Sequence, residues 1–193
     1  MVDIKKITGR LGNQMFEFAA LYAYAKDMGV DYYFQSPEWF EKYQDEIRRL
    51  YSQNISSSID KVAIHVRRAS NPLDYKEPKY SENPFYVNLC DTDYYERAID
   101  LFPNDKFMVF SDDKEWCYEK WGDDKRFEIS AWPEIEDMNY MASCKAHIIA
   151  NSSFSWWGAW LSPLYPHNRV IAPKEWYADG IERTKLPSHW ERI

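Results

Sequence analysis

The stretch that decides the fold is AHIIANSSFSWWGAWLSPLYPHN, residues 146–168. It begins as a short apolar run suited to a buried strand and ends as a tryptophan-rich segment with helical spacing. Between the two stand Asn151, Ser152, Ser153, Phe154 and Ser155. Small polar residues at that junction have two readings. They are N-cap residues for the helix, or they form a loop whose hydroxyls and free N–H groups hold an anion.

Working outward, the same strand-then-helix grammar recurs. KVAIHVRR, from residue 61, reads as a buried strand, DTDYYERAIDLF as a helix, and DKFMVFSDD as a strand with an acidic turn. KEWCYEKWG reads as a short helix ending at Gly122, and RFEIS as a strand. EIEDMNYMASCK then reads as a helix, AHIIAN as a strand, SSFSWWGAWLS as a helix, and NRVIAPKEWY as a last strand and loop. Strands alternating with helices predict an α/β fold, a parallel sheet covered on both faces. In such sheets ligands bind where strand C-terminal ends lead into helix N-termini.

Upstream, VDIKKI predicts a strand, TGRLGNQ a tight glycine loop, and MFEFAALYAYAKDMG a helix with Gly29 as C-cap. VDYYFQS predicts a second strand and PEWFEKYQDEIRRLYSQ a helix, with NISSSID as a linker. The expected organisation is therefore a small unit over residues 1–60 and a second over 61–193. Residues 69–88, with prolines at 72, 78 and 84, predict a long irregular loop of the kind that often carries function.

Composition narrows the classes of function. The 193 residues are 45% hydrophobic and 18% aromatic, which excludes a disordered chain. A net charge of -7 argues against non-specific nucleic-acid binding, which needs a basic field. Cys90, Cys117 and Cys144 are odd in number and lack CxxC spacing, so a reducing compartment without a zinc site is expected. No apolar run approaches the roughly 18–20 residues that span a bilayer, and MVDIKKITGR has no signal-peptide core, so a cytoplasmic protein is expected. The N-x-S matches at Asn54 and Asn151 are then chance occurrences.

Three strand-end loops carry the chemistry, GRLGNQ, HVRRAS and the NSSFS already described, with FSDD as a further candidate. In GRLGNQ the glycines, Gly12 among them, permit close backbone approach and set Asn13 at the start of a helix; a turn with a helix cap is the plain alternative. HVRR ends a strand with His65, Arg67 and Arg68. Alternation sends His65 and Arg67 to one face and Arg68 to the other, where each guanidinium needs an anion, either a phosphate or an internal carboxylate. FSDD ends another strand with Asp112 and Asp113, which could bind a metal, accept from a base or ribose, or cap the next helix.

TGRLGNQMFEFAALYAYAKDMG, AIHVRR, FMVFSDD, MNYMASCKAHIIANSSFSWWGAWL and VIAPKEWY together resemble the ordered motifs of the α-1,2-fucosyltransferase family, glycosyltransferase family 11. That resemblance implies a GT-B-like fold of Rossmann-type lobes with a reduced N-terminal, acceptor-side lobe. It implies an inverting transferase moving L-fucose from GDP-β-L-fucose to a glycan hydroxyl, usually α-1,2 to galactose, with no obligatory metal. Arg67 matches the pyrophosphate-contacting arginine of the wider group, and Ser152, Ser153, Phe154 and Ser155, following Asn151, match its phosphate-cradling loop. Asn13 matches the asparagine facing the donor, while Gly12, His65, Arg68, Asp112 and Asp113 join the donor-binding set.

Two departures stand out. Where members read RRGDY, this chain reads RRASNPLDY, which displaces Asp74 downstream, and an acceptor or base role for Asp74 depends on the loop carrying it back. The segment between VDYYFQS and KVAIHVRR is also shorter than usual, and aromatics exposed by a shortened lobe would favour homo-oligomerisation. Transfer of another GDP-sugar, and binding of a GDP-sugar or glycan without turnover, are the competing expectations.

Overall fold

The computed structural model of the protein describes residues 11–27, 40–52, 55, 58–69 and 79–193. The strands expected in VDIKKI and VDYYFQS, the Gly29 cap and Asp74 lie outside the described residues. Six strands, β1 (Ile59–Val66), β2 (Phe107–Ser111), β3 (Phe127–Ile129), β4 (Cys144–Ile148), β5 (Arg169–Ala172) and β6 (Glu191–Arg192), form one sheet in the order β3-β2-β1-β4-β5-β6. Every pairing is parallel. This is the doubly wound order of a Rossmann-type sheet, and its strand order reverses between β1 and β4.

Among the described residues the α-helices are α1 (Leu11–Asp27), α2 (Gln44–Tyr51), α3 (Tyr94–Asp100), α4 (Lys114–Trp121), α5 (Glu134–Ser143) and α6 (Ser153–Trp160). Period-two side-chain alternation divides the strands between two layers of them. Val62, Ile64 and Val66 of β1, with Phe107 and Val109 of β2, bury against Tyr95, Ala98 and Cys117 of α3 and α4. Ala63, Met108 and Phe110 face the other way, toward Met141 of α5. On that second face α1, α2, α5 and α6 share one core in which Phe16, Phe40, Trp156, Trp157 and Trp160 are fully buried or nearly so.

Several boundaries differ from expectation. α1 begins at Leu11, so Gly12, Asn13 and Gln14 form its first helical turn rather than the loop before it. Residues 41–43 are a 3-10 turn, and α2 covers only Gln44–Tyr51. α5 hands over to β4 directly at Cys144, whose extended backbone (φ -69°, ψ 151°) ends the helix. β6 was not expected. It is two residues long, anchored by the buried Trp190 and paired with β5 at Ile171 and Glu191.

Two tyrosines of α3 fix the strand ends that frame the switch point. Tyr95 donates its hydroxyl to the His65 carbonyl at 3.0 Å, while the Tyr94 hydroxyl lies 2.7 Å from the Ile149 carbonyl and 3.1 Å from that of Ile171. These contacts tie α3 to the buried backbone at the ends of β1, β4 and β5. At the far end of α6, Arg48 of α2 bonds the Trp160 carbonyl and, at 2.8 Å, that of Ser162, supplying a cation where the helix dipole is negative.

Candidate functional site

A cleft of about 430 Å³ opens over the C-terminal edge of the sheet. Gly12, Asn13, His65, Arg67, Asp112, Asn151, Ser152, Ser153 and Phe154 all line it, so the three strand-end loops meet in one place. Of the remaining candidates, Arg68, Asp113 and Ser155 are not among its lining residues.

Arg67 and Arg68 part company just past β1. Arg67 turns into the cleft, donates to the Ala69 carbonyl at 2.7 Å, pairs with Asp112, and lies 4.8 Å from the ring centre of Tyr80. Arg68 turns toward α4, pairs with Asp113 at 3.1 Å and lies over Trp116 at 4.7 Å. The two aspartates divide accordingly. Asp112 Oδ1 accepts from the backbone N–H groups of Arg68 (2.9 Å) and Ala69 (3.1 Å), so it shapes the arginine loop. Asp113 caps α4 by accepting from the Trp116 N–H at 3.1 Å. Of the alternatives open for the Asp pair, the helix cap describes Asp113, and an internal ion pair accounts for Arg68.

The 151–155 loop is held from several sides. Asn151 is buried and donates Nδ2 to the Val87 and Trp176 carbonyls at 2.8 and 3.0 Å, while its own carbonyl accepts from Tyr80 at 2.5 Å. Its side-chain amide thus ties the β4 end to two other segments, which leaves no accessible glycan acceptor there. Ser152 is the N-cap of α6, accepting from the Phe154 N–H at 3.3 Å. Ser153 donates to Asn13 Oδ1 at 2.7 Å. Ser155 is fully buried, with its hydroxyl 3.3 Å from the Ala150 carbonyl and 3.2 Å from that of Ser152. Helical geometry turns Ser155 away from the face that Ser152 and Ser153 present, so it braces the loop from behind.

Gly12 makes the meeting of α1 and α6 feasible. A Cβ there would sit 2.6 Å from the Phe154 backbone nitrogen and 2.7 Å from the Ser153 carbonyl carbon. Only a bare backbone fits. The first turns of two helices consequently converge at the cleft, each with its positive dipole end. Together with Arg67 they give an acidic protein a local site for an anion.

Sequence reasoning missed both ends of this cleft. Toward β2 and β3 lie Lys114, Trp132, Glu134 and Asp137. Asp137, in the first turn of α5, is buried and accepts from the Ser130 hydroxyl; burial pushes its carboxyl above the usual range, against the opposing pull of Ser130 and Lys114. Toward β4 and β5 lie Tyr80, Asn83, Tyr86, Trp176 and Tyr177. Burial drives the Tyr80 phenol far above its ordinary value, so it stays a neutral hydrogen-bond donor. The proline-marked loop over 69–88 was the available signal for the aromatic end; nothing in the helical pattern of α5 singled out Asp137. Among the described residues no group of His, Cys, Asp and Glu side chains could hold a metal ion, and no helix is long and apolar enough to cross a membrane.

The sequence family described as Glycosyl transferase family 11 matches residues 29–191. The chain belongs to glycosyl transferase family 11. It is similar to an alpha-1,2-colitosyltransferase of Escherichia coli, 31% identical over 188 residues, covering 83% of this chain and 61% of that protein. It is also similar to the O-antigen biosynthesis glycosyltransferase WbnK of Escherichia coli, 32% identical over 148 residues, covering 71% of this chain and 45% of WbnK. The family-11 chain therefore spans about half to three-fifths of the length of the curated relatives it matches. No solved structure matches it significantly.

Proposed function

We propose that the cleft binds the diphosphate of a GDP-sugar and that the chain transfers L-fucose from GDP-β-L-fucose to a glycan hydroxyl with inversion, α-1,2 to galactose. The observation that carries this reading is the convergence of Arg67 with the first turns of α1 and α6 at the switch point of the sheet. A guanidinium and two helix N-termini suit a diphosphate, which offers several oxygens to charge-assisted and backbone donors.

In this reading Arg67, the N–H groups of the first turn of α6 and the Ser153 hydroxyl, turned from Asn13 Oδ1 to the phosphate, stabilise the leaving GDP as the fucosyl bond breaks. Such fixed donors bind the departing diphosphate more strongly than the ground state, because negative charge grows on the bridging oxygen as the sugar becomes oxocarbenium-like. No obligatory metal is assigned. The nucleobase lies toward β2 and β3, where the sequestered Asp137 carboxylate accepts from its N–H edge beside Trp132. His65, its ring tilted against that of Phe154 at 5.3 Å, borders the donor, and Asp112 acts through Arg67 rather than on the nucleotide. Asp74 keeps its proposed place on the acceptor side.

The name of the colitosyltransferase relative favours a second reading, transfer of a different sugar from the same class of donor. Incubation with GDP-β-L-fucose and a β-galactoside, followed by mass spectrometry of the sugars and quantitation of GDP, tests both. A fucosylated galactoside with stoichiometric GDP is expected. GDP-fucose left intact while a colitosyl donor is consumed would select the second reading. Binding without release of GDP from any donor would leave a nucleotide-sugar binding protein.

A further inference from the structure

The two ends of the cleft differ in kind. Toward β2 and β3 the lining carries Lys114, Glu134 and Asp137; toward β4 and β5 it is uncharged and aromatic. The rings of Tyr80 and Tyr86 stack at 4.4 Å and 24°, and Tyr177 follows at 5.6 Å from Tyr86. Backbone bonds lock the two segments together: Tyr86 bridges Tyr177, and Ala178 donates to the Phe85 carbonyl at 3.0 Å. Phe85 extends this wall beyond the cleft, its ring 5.1 Å from Tyr177 and 43% exposed. Large apolar side chains left in water beside a cleft mark a binding surface better than isolated ones do.

Resting on the diphosphate reading above, we infer that this aromatic wall is the acceptor subsite and that it takes a terminal pyranose by its apolar face. Arg67 fixes the position, because its guanidinium lies over the Tyr80 ring; a sugar leaving a phosphate held by Arg67 starts beside the wall. The wall's chemistry fits a neutral ring. One face of a galacto-configured pyranose carries only C–H groups, which pack on aromatic planes, while its edge hydroxyls need polar partners. Asn83 supplies one: its Oδ1 accepts from the Phe85 N–H at 3.0 Å, which leaves its amide N–H groups for a hydroxyl at the cleft. The cations at this end, Arg67 over Tyr80 and Arg183 at 5.0 Å from the Phe85 ring centre and 5.2 Å from that of Tyr177, lie on aromatic rings, and among the described residues no carboxylate lines it to accept from a nucleobase. Sequence reasoning expected the acceptor on residues 1–60, whereas this wall is built entirely from residues beyond 79.

The test is saturation-transfer NMR with methyl β-D-galactopyranoside as probe, on protein saturated with GDP, comparing wild type with Phe85→Ala and Asn83→Ala, with GDP affinity measured by calorimetry in parallel. Expected is sugar binding by the wild-type complex, weakened about tenfold in each variant while GDP affinity stays within about twofold. If GDP binds but the wild-type complex shows no sugar signal, or both variants bind sugar as wild type does, the acceptor assignment fails and the diphosphate reading stands. Loss of GDP affinity in Phe85→Ala would give the wall to the nucleobase and overturn the inference. If wild type binds no GDP, the diphosphate reading itself falls.

Discussion

The loop after β1 and the loop after β4 face each other across the cleft, and they are held in opposite ways. Carboxylates hold the first: Asp112 gathers Arg67 and two backbone N–H groups, and Asp113 takes Arg68. Neutral groups hold the second, through Asn151, the Ser152 cap and the buried Ser155, with Trp156 and Trp157 fully buried behind it. The difference separates two jobs. The β1 loop carries a charge that an incoming anion can share with Asp112, while the β4 loop is continuous with the core and keeps its shape whether or not an anion is present.

The largest expected effect follows from that division. Charge-assisted hydrogen bonds contribute about 1.5–3 kcal/mol each, so Arg67→Gln should weaken GDP binding by about 100-fold while leaving a cooperative melt. If affinity is instead unchanged, the β1 loop does not carry the charge that matters. Gly12→Ala comes next, and it strikes the β4 loop from outside. Its Cβ meets backbone rather than a movable side-chain tip, so a loss of about 1–3 kcal/mol and a Tm lower by about 5 °C are expected, with weaker GDP binding. A stable variant with native affinity would show that α1 does not press on α6 in solution.

The two serines divide the β4 loop more finely. Ser155→Ala should cost about 1 kcal/mol of stability in urea denaturation, because a buried hydroxyl shared between the Ala150 and Ser152 carbonyls is lost. Ser153→Ala should leave stability nearly unchanged and weaken GDP binding about threefold to tenfold. The reverse pattern would exchange their roles. Asp137→Asn comes last, its effect read through pH. Burial raises the Asp137 pKa, so folding favours its protonated form, and wild-type stability falls as pH rises through that raised value. Urea titrations between about pH 4 and pH 8 should therefore show the Asn variant gaining on wild type toward the alkaline end, though it binds GDP less tightly. Parallel curves would mean that the carboxyl is solvated.

Much of this arrangement was legible in the sequence, for identifiable reasons. β1 and β2 read as nearly continuous apolar runs because both their faces are buried, and the loop after β4 announces itself by putting four polar residues between an apolar run and a tryptophan pair. The direction of each side chain was harder to read. Ser153 and Ser155 look equivalent in NSSFS, and only the helical turn between them sends one toward Asn13 and the other toward Ala150. Asp112 and Asp113 look like a pair, yet one shapes the arginine loop and the other caps α4. Asp137 and the aromatic wall escaped because their partners lie far along the chain: Asp137 reaches the cleft only through the sheet order, and Tyr86 meets Tyr177 only after the chain has traversed β2 to β5. β6 is too short to show any period.

The most direct measurement is calorimetric titration of the purified chain with GDP in EDTA, with Arg67→Gln alongside. The account predicts saturable binding by wild type that is weakened about 100-fold in the variant, both proteins melting cooperatively. Absence of binding by wild type, or equal affinity in the two, would contradict the claim that Arg67 and the paired helix N-termini form a diphosphate site.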